Sequence, residues 1–228
     1  MVLGLAHAGI HVIATAARER KEIEAVARES AQNKNPGTVV PVLADVTRAS
    51  DCELVVDAAV SRFGRLDILV NNDGRGMKYV SDSFLTEPTR FWEISPETWR
   101  LIVDTNVNGP FLMARCAAPL MIRARWGRII NISVSRETMR RRGFSPYGPS
   151  KAALESETII WSQELAGTGV TVNALLPGGA TRTELPGTCN LITWKRFPQL
   201  LKRPFRRAMF SNVEVKETSG SDLGAATR

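Results

Sequence analysis

The sequence is poor in the residues that build metal centres and disulfide frameworks. Its 228 residues include only three cysteines and two histidines. The cysteines, Cys52, Cys116 and Cys189, are odd in number and far apart along the chain. This pattern argues against a disulfide framework or a zinc site and fits a reducing compartment. We therefore expect no metal at the functional site and a cytoplasmic location.

Long apolar runs are also missing. The chain contains no stretch of about 18 consecutive apolar residues, so the sequence predicts no membrane span. Residues 1–17 are apolar and include Ala14, Thr15 and Ala16, as at the end of a signal peptide, but no lysine or arginine precedes the apolar run. We interpret this segment as a helix end, a glycine turn and a strand.

Acidic residues are fewer than basic ones, 23 against 30, and the formal net charge is +7. Much of the basic excess lies in two segments, 140–142 and 195–207. Such clusters can attract nucleic acid or anionic membranes. No zinc finger, aromatic RNA-binding motif or heptad repeat accompanies them, so we interpret them as a solvated surface that also suits an anionic cofactor. We expect no nucleic-acid or membrane partner.

Short β-branched runs alternate with longer segments that have helical periodicity. The predicted strands are 10–16, 39–43, 66–70, 128–132 and 170–175, and the predicted helices are 19–31, 51–62, 96–125 and 149–166. This alternation predicts right-handed crossovers and a doubly wound parallel sheet with helices on both faces, a three-layer α/β domain. We expect this domain to span residues 1–187 and a divergent, basic tail to follow over 188–228.

A tyrosine and a lysine at the start of the last predicted helix can form an acid/base pair. Tyr147 and Lys151 are four residues apart, so their side chains lie on one helix face, about one turn apart. A free phenol has a pKa of roughly 10, and a fixed ammonium nearby favours the phenolate. Two solvated residues on a helix face would have the same spacing, so the pair alone does not decide between these readings.

Four motifs surround this pair in a particular order. They are LDILVNNDG at 66–74, DTNVNG at 104–109, RIINIS at 128–133 and VTVNALLPGG at 170–179. With the Tyr-x-x-x-Lys pair, their order and spacing resemble the short-chain dehydrogenase/reductase family over residues 4–183. The resemblance implies a Rossmann-like sheet and an NAD(P)-dependent oxidoreductase that interconverts a small-molecule carbonyl and a secondary alcohol. It also implies a homodimer or homotetramer, formed through the helices at 96–125 and 149–166.

The resemblance assigns roles to the polar residues of these motifs. Tyr147 would exchange a proton with the substrate oxygen, Lys151 would hold the cofactor ribose and lower the phenol pKa, and Asn106 would orient a water in the proton relay. The family places its substrate-binding serine most often thirteen residues before the tyrosine, which here is Val134. Ser133 and Ser135 flank that position, and we prefer Ser135 because a loop shorter by one residue would bring it into place.

The residues that follow the first predicted strand indicate which cofactor is preferred. Family members that prefer NAD carry an acid there, but this strand is followed by Arg18, which can pair with a 2′-phosphate. The resemblance therefore favours NADP over NAD, although a solvated arginine would look the same. Asp73 replaces the alanine usual between the family's asparagine and glycine. The other matched cofactor positions are Asp45, Val46, Asn72, Gly74, Pro177 and Gly178.

One family feature has no counterpart in the sequence. Members open with a strand and a T-G-x-x-x-G-x-G turn that receives the cofactor pyrophosphate, whereas residues 1–9 match the helix that follows this turn. The absent strand would lie between the strands at 10–16 and 66–70, so we expect two half-sheets. We also expect the chain by itself to fold poorly and to bind neither NADPH nor NADH usefully. The alternative function is therefore a catalytically inactive remnant kept for interactions.

Overall fold

The structure of the chain, a computed structural model, describes residues 1–176. Within these residues, strands and helices alternate as predicted. The strands are β1 (Val12–Ala16), β2 (Val39–Leu43), β3 (Ile68–Asn71), β4 (Gly127–Ile132) and β5 (Val170–Leu175). The helices are α1 (Val2–His7), α2 (Arg20–Gln32), α3 (Ala49–Phe63), α4 (Pro96–Val103), α5 (Gly109–Arg123), α6 (Arg136–Met139) and α7 (Tyr147–Glu164). Residues 177–187 and the predicted tail lie outside the described residues.

The paired strands are parallel, and helices cover both of their faces. β1 pairs with β2, and β4 pairs with β3 on one side and with β5 on the other. Because side chains alternate along a strand, Leu69 packs in the cluster that includes α3 and α5, while Val70 packs in the cluster that includes Leu5 of α1. The predicted three-layer, doubly wound α/β architecture is confirmed.

The sheet is divided into two parts. β1 and β2 form one part, β3, β4 and β5 form the other, and no strand within residues 1–176 joins them. A cavity of about 790 Å³ lies between the two parts, lined by β1, β3, α1, α3 and α5. The two expected half-sheets are therefore present, and the gap lies between the strands where it was predicted.

The predicted single helix over 96–125 is interrupted. α4 ends at Val103, a π-helical turn covers Asp104–Asn108, and α5 begins at Gly109. A side chain at position 109 would collide with Val46, because a Cβ atom there would lie 2.8 Å from its Cγ2 atom. The glycine thus allows α5 to pack closely against the residues that follow β2.

Two further differences from the sequence prediction concern the helices near the site. α7 begins at Tyr147 rather than at Pro149, and proline is tolerated there because the first-turn amides have no partner within the helix. The short helix α6 was not predicted, since four residues are too few to show helical periodicity; Ser135 caps its first turn. None of the helices in the described part of the chain is long and apolar enough to cross a membrane.

Candidate active site

The predicted site residues that the structure describes gather at one edge of the sheet, beyond the carboxyl ends of the strands. Asp45 follows β2, Asn72 follows β3 and Ser133 follows β4. The first two turns of α7 carry Tyr147 and Lys151 to the same edge. In open parallel sheets this edge is where ligands bind.

Asn106 connects two loops of this edge. Its side chain is completely buried in the π-helical turn. Its Oδ1 atom accepts a hydrogen bond from the Arg75 backbone N–H at 2.7 Å. Its Nδ2 atom donates to the Arg75 backbone oxygen at 3.1 Å and to the Ser150 Oγ atom at 3.0 Å. Asn106 therefore ties the loop after β3 to the first turn of α7.

Lys151 lies inside this edge rather than on a solvated helix face. Its side chain is only 4% exposed, and its Nζ atom donates a hydrogen bond of 2.8 Å to the backbone oxygen of Ile132. A Cβ atom built on Gly74 would lie 3.6 Å from both the Lys151 Nζ atom and the Asn106 Oδ1 atom. Gly74, Asn106 and Lys151 are thus immediate neighbours, as the predicted site requires.

Asp73 and Asp45 bring two carboxyl groups to this edge, and two cations accompany them. Burial raises the pKa of Asp73, and the charge of Asp45 raises it further, against the opposing effects of Arg75 and Lys151. Burial also acts to raise the pKa of Asp45, but hydrogen bonds from Thr47 and the charges of Arg48 and Arg75 outweigh it, so the pKa is lowered. Aspartate at position 73, where the family usually has alanine, therefore adds a second carboxyl group near Lys151.

Arg75 occupies space close to these carboxylates. Its Nε atom donates to the Thr105 Oγ1 atom at 2.9 Å, and its guanidinium stands 4.8 Å from the centre of the Tyr79 ring. The guanidinium group is therefore held on both sides by side chains that come from the loop after β3 and from the π-helical turn.

The two candidate serines have different environments. Ser133 is 1% exposed, and its Oγ atom donates to the Glu155 Oε1 atom at 2.6 Å. Ser135 is less buried, and its Oγ atom accepts from the Thr138 backbone N–H at 3.3 Å as the cap of α6. The hydroxyl of Ser133 is therefore committed to α7, which favours Ser135 as the serine available to a substrate.

A buried polar chain lies beneath the site. The Asn71 Nδ2 atom donates to the Asn131 Oδ1 atom at 2.8 Å, and the Asn131 Nδ2 atom donates to the Thr158 Oγ1 atom at 2.8 Å. The Thr158 hydroxyl in turn donates to the Leu154 backbone oxygen at 2.7 Å. These bonds lock β3, β4 and α7 together and fix the helix that carries Tyr147.

The remaining predicted cofactor residues are less strongly organised. Arg18 is exposed beyond the end of β1. Asp45 accepts bonds from its own turn, through the Thr47 N–H at 3.0 Å and hydroxyl at 2.7 Å, and is not the cap of α3. Val46 packs against Gly109. Pro177 and Gly178 lie outside the described residues.

Sequence reasoning missed several residues that hold the site together. They are Asn71, Arg75, Asn131, Ser150, Glu155 and Thr158. A signal for two of them exists in the sequence, because an asparagine at the end of an otherwise apolar buried strand needs a partner. Ser150 and Thr158 carry no such signal, since hydroxyl residues are common on exposed helix faces.

Similar proteins share this architecture. The chain is 32% identical over 176 residues to a 3-oxoacyl-[acyl-carrier-protein] reductase of Synechocystis sp.. The aligned region covers 77% of this chain and 66% of that relative. It is 37% identical over 183 residues to a short-chain type dehydrogenase/reductase of Picea abies, and the aligned region covers 78% of this chain and 64% of that relative. The chain thus spans slightly less than two thirds of the length of these two curated relatives.

Solved structures give the same picture. A metagenomic short-chain oxidoreductase in complex with NADP superposes with a TM-score of 0.66 at 26% identity, over 78% of this chain and 76% of that one. A short-chain dehydrogenase from Streptomyces avermitilis superposes with a TM-score of 0.63 at 31% identity, over 82% of this chain and 63% of that one. The short chain dehydrogenase family model matches residues 1–190. The chain therefore belongs to the short-chain dehydrogenase family.

Proposed function

We propose that this chain acts as an NADP-dependent oxidoreductase that interconverts a carbonyl and a secondary alcohol. The observation that carries the proposal is the set of Asn106 hydrogen bonds, which joins the loop after β3 to the first turn of α7. That turn presents Tyr147 one helical turn from Lys151, and Lys151 adjoins Gly74. This arrangement supports the proposal, because a phenol, an ammonium group and a glycine lie close together at the edge of the sheet where ligands bind in such folds.

Tyr147 is the proposed general acid/base. In reduction its phenol O–H gives its proton to the carbonyl oxygen, and in oxidation the phenolate takes the proton from the alcohol. The charge of Lys151 favours the phenolate and so assists both directions. The hydroxyl of Ser135 would donate a hydrogen bond to the same substrate oxygen, while Asn106 positions the surrounding backbone.

When bound, NADPH would supply the hydride for reduction of the carbonyl, and NADP+ would accept it in oxidation of the alcohol. The buried ammonium of Lys151 fits the ribose hydroxyls, and the relative crystallised with NADP supports the cofactor choice. At the pyrophosphate position the fit is poorer, because no α-helix in residues 1–176 begins at a glycine-rich turn on this edge. The other residues proposed to contact the cofactor are Arg18, Asp45, Val46, Asn72, Gly74, Pro177 and Gly178.

Replacing Tyr147 by phenylalanine tests the proposal. General acid/base catalysis contributes about a hundredfold or more, so Tyr147→Phe should lower turnover by at least that factor and leave NADPH binding largely intact. A 3-oxoacyl thioester is the trial substrate, because one relative is a 3-oxoacyl-[acyl-carrier-protein] reductase. NADPH oxidation is followed by absorbance and NADPH affinity by calorimetry.

Tyr79→Phe is the matched control, since the chain has two tyrosines and this substitution keeps the ring that packs on Arg75. Its turnover should stay close to that of the wild type. Turnover of Tyr147→Phe within a few-fold of the wild type would disprove the assignment.

The second candidate function is a catalytically inactive member that serves in interactions. The comparisons do not favour it, because the family model is that of short chain dehydrogenases and one relative is a reductase; the divided sheet is the observation that keeps it as the alternative. A folded chain that binds no NADPH, although its Asn106 and Lys151 contacts are present, would support this reading. Measurable turnover that depends on Tyr147 would exclude it.

We also infer a homo-oligomer, a dimer or a tetramer, formed through α5 and α7. Ile159 and Ile160 expose 54% and 49% of their surface on α7, and Phe111 exposes 46% on α5. Leu165, just after α7, is buried in the core cluster that includes Val170 and does not contribute to such a contact. Light scattering at micromolar concentration tests the assembly. A cytoplasmic location stays a prediction.

A further inference from the structure

Glu155 lies one helical turn beyond Lys151 on α7, and residues four apart occupy the same face of a helix. Its Oε1 atom accepts a hydrogen bond of 2.6 Å from the Ser133 Oγ atom, whose residue is 1% exposed. A hydroxyl and a carboxylate at this distance form a charge-assisted bond, which is roughly twice as strong as a neutral one. The proton transfer proposed above gives this carboxyl group no role.

The bond acts on the peptide unit that joins Ile132 to Ser133. The backbone oxygen of this unit accepts a hydrogen bond of 2.8 Å from the Lys151 Nζ atom. Its N–H donates to the Leu175 backbone oxygen of β5 at 2.9 Å. Because a peptide unit is planar, its oxygen cannot move unless the Cα atom of Ser133 moves or the plane rotates. The bond from Ser133 to Glu155 therefore also restrains the acceptor of the Lys151 ammonium.

A second anchor between β4 and α7 lies farther from the acid/base pair. The Asn131 Nδ2 atom donates to the Thr158 Oγ1 atom at 2.8 Å. At a rise of about 1.5 Å per residue, Thr158 is about 10 Å from Lys151 along the helix axis, whereas Glu155 is about 6 Å away. The Asn131 bond thus holds the strand, and the Glu155 bond holds the peptide unit that contacts the ammonium.

The position of the ammonium group decides how strongly it acts on Tyr147. The interaction of two charges weakens with distance and is stronger where water is excluded, and Lys151 is only 4% exposed. A lysine side chain has a flexible four-carbon stem. If the Ile132 carbonyl moved away, the ammonium would take several positions and would favour the Tyr147 phenolate less.

We propose that Glu155 is a positioning residue for the acid/base pair. By holding the Ser133 hydroxyl, Glu155 keeps the Ile132 carbonyl in place. That carbonyl fixes the Lys151 ammonium, one helical turn from Tyr147. The inference rests on the proposed function and deepens it, because it names a residue that acts on the proton-transfer pair from outside the site.

The phenol pKa of Tyr147 tests the proposal without substrate or cofactor. The chain has two tyrosines, so in a Tyr79→Phe background the ultraviolet absorbance of the phenolate reports Tyr147 alone. A nearby opposite charge shifts a pKa by about 1–3 units, so a displaced ammonium in Glu155→Ala should raise the phenol pKa by about half a unit or more.

Glu155→Gln is the matched control, because it removes the same negative charge but keeps an oxygen that can accept from Ser133. Loss of the negative charge by itself would lower the phenol pKa, so it cannot explain a rise in the alanine variant. The nearby charges of Asp73 and Arg75 are the same in both variants. Equal phenol pKa values in the alanine and glutamine variants would overturn the proposal.

Ser133→Ala removes the same hydrogen bond from its other side. It should raise the phenol pKa of Tyr147 as Glu155→Ala does, and the double variant should add little, because both changes act through one contact. Fully additive effects of the two substitutions would contradict the proposal.

A second measurement, at neutral pH, applies if the chain unfolds before the phenol titrates. Acetylation of Lys151 by acetic anhydride is compared with that of the exposed Lys78 by peptide mass spectrometry. Lys151 should react several-fold faster in Glu155→Ala than in Glu155→Gln, while alkylation of the fully buried Cys52 stays slow in both. Equal acetylation of Lys151, or loss of Cys52 protection in the alanine variant, would give Glu155 a purely structural role and overturn the proposal.

Turnover separates this inference from the proposed function. The phenolate is the reactive form in oxidation, so the curve of kcat against pH should move to higher pH in Glu155→Ala but not in Glu155→Gln, and the substrate KM should change little. A chain without turnover would disprove the oxidoreductase proposal and leave the titration and acetylation tests intact. A curve that moves equally in the two variants, or in neither, would overturn the positioning role.

Discussion

The two parts of the sheet hold their polar groups in different ways. In the three-stranded part, Asn71, Asn131 and Thr158 bond across strands and helix, and Asn106 reaches over thirty residues to Arg75. In the two-stranded part, Asp45 bonds to its own turn, and Arg18 is exposed. Long-range bonds thus fix the end of the site where the proposed proton transfer occurs, while local turns shape the end proposed to hold the adenosine.

The largest expected effect concerns the space between these two parts. The cavity of about 790 Å³ leaves apolar side chains of both parts without close packing partners, and unfilled apolar space destabilises a protein. The net stability of a typical domain is only about 5–15 kcal/mol, so a loss of packing between its two parts is large relative to that stability. We expect the chain alone to unfold at a low thermal midpoint and to bind NADPH only weakly.

Differential scanning calorimetry and NADPH titration of the purified 228-residue chain check this prediction. A thermal midpoint of about 45–65 °C, as for typical mesophile domains, together with micromolar NADPH binding would show that the two parts are stable side by side. The space between the two parts would then not be a main cause of instability.

The next effect concerns the bonds that distinguish the three-stranded part. Asn106→Ala leaves the partly buried N–H and carbonyl of Arg75 without their Asn106 partner, and a fully buried group in that position costs about 1–3 kcal/mol. We expect a loss of about 2–4 kcal/mol in the free energy of unfolding, and a loss of turnover because α7 is no longer tied to the loop after β3.

Asn108→Ala is the matched control, because Asn108 is exposed and bonds only within its own turn, to the Asp104 Oδ1 atom at 2.8 Å. Its effect should stay below about 0.5 kcal/mol. The two variants are compared by urea denaturation, and equal losses would mean that Asn106 has no special role.

A smaller effect is expected in the two-stranded part, at Arg18. A charge-assisted contact with the 2′-phosphate contributes about 1.5–3 kcal/mol, so NADPH should bind about ten- to a hundredfold more tightly than NADH. Arg18→Ala should remove this preference, and Arg28→Ala on α2 should keep it. Calorimetric titrations with both cofactors measure it, and a wild-type preference for NADH would show that Arg18 has been misread.

The smallest effect concerns Glu157 of α7, the least well paired acid of the three-stranded part. Its Oε2 atom is buried with no hydrogen-bond partner among the described residues, and burial raises the pKa of the carboxyl to about 7. The folded state therefore binds the proton more tightly than the unfolded chain. The contribution of this carboxyl group to the free energy of unfolding is fully present below about pH 4.5 and is lost as the pH rises through about 7.

Glu157→Gln should therefore stabilise the protein above pH 7 and have little effect in acid. Because the side chain is partly exposed, we expect a gain of about 1–2 kcal/mol rather than the full value of the shift. Glu164→Gln, at the exposed end of α7, should change little. Thermal melts over a range of pH measure both variants, and a gain that does not depend on pH would contradict the assignment.

The sequence predicts those features that depend on local patterns. β2 and β5 have the predicted bounds, because β-branched runs between turn residues leave little choice. The neighbours Gly74, Asn106 and Lys151 were also identified, since the family motifs contain them. The π-helical turn was not predicted, because hydrophobic periodicity changes little when one residue is inserted into a helix.

The environments of the two serines were beyond the reach of the sequence. Spacing alone left Ser133 and Ser135 nearly equivalent, and only the fold shows that Glu155, twenty-two residues after Ser133, takes its hydroxyl. Contacts over such distances depend on how α7 packs on β4. Sequence motifs report which residues are present at a site, whereas tertiary packing decides which of their atoms stay available.

The π-helical turn also determines how the side-chain faces of α4 and α5 are rotated relative to each other. A residue added within a helix rotates everything on one side of it by about 100° relative to the other. This offset lets α5 bury Met113 and Ala117 in the core while Asn106, in the turn itself, faces Arg75. A one-residue deletion within Asp104–Asn108 would restore a regular helix and turn the asparagine out of the site. The site is therefore encoded by a count of residues as well as by their identities.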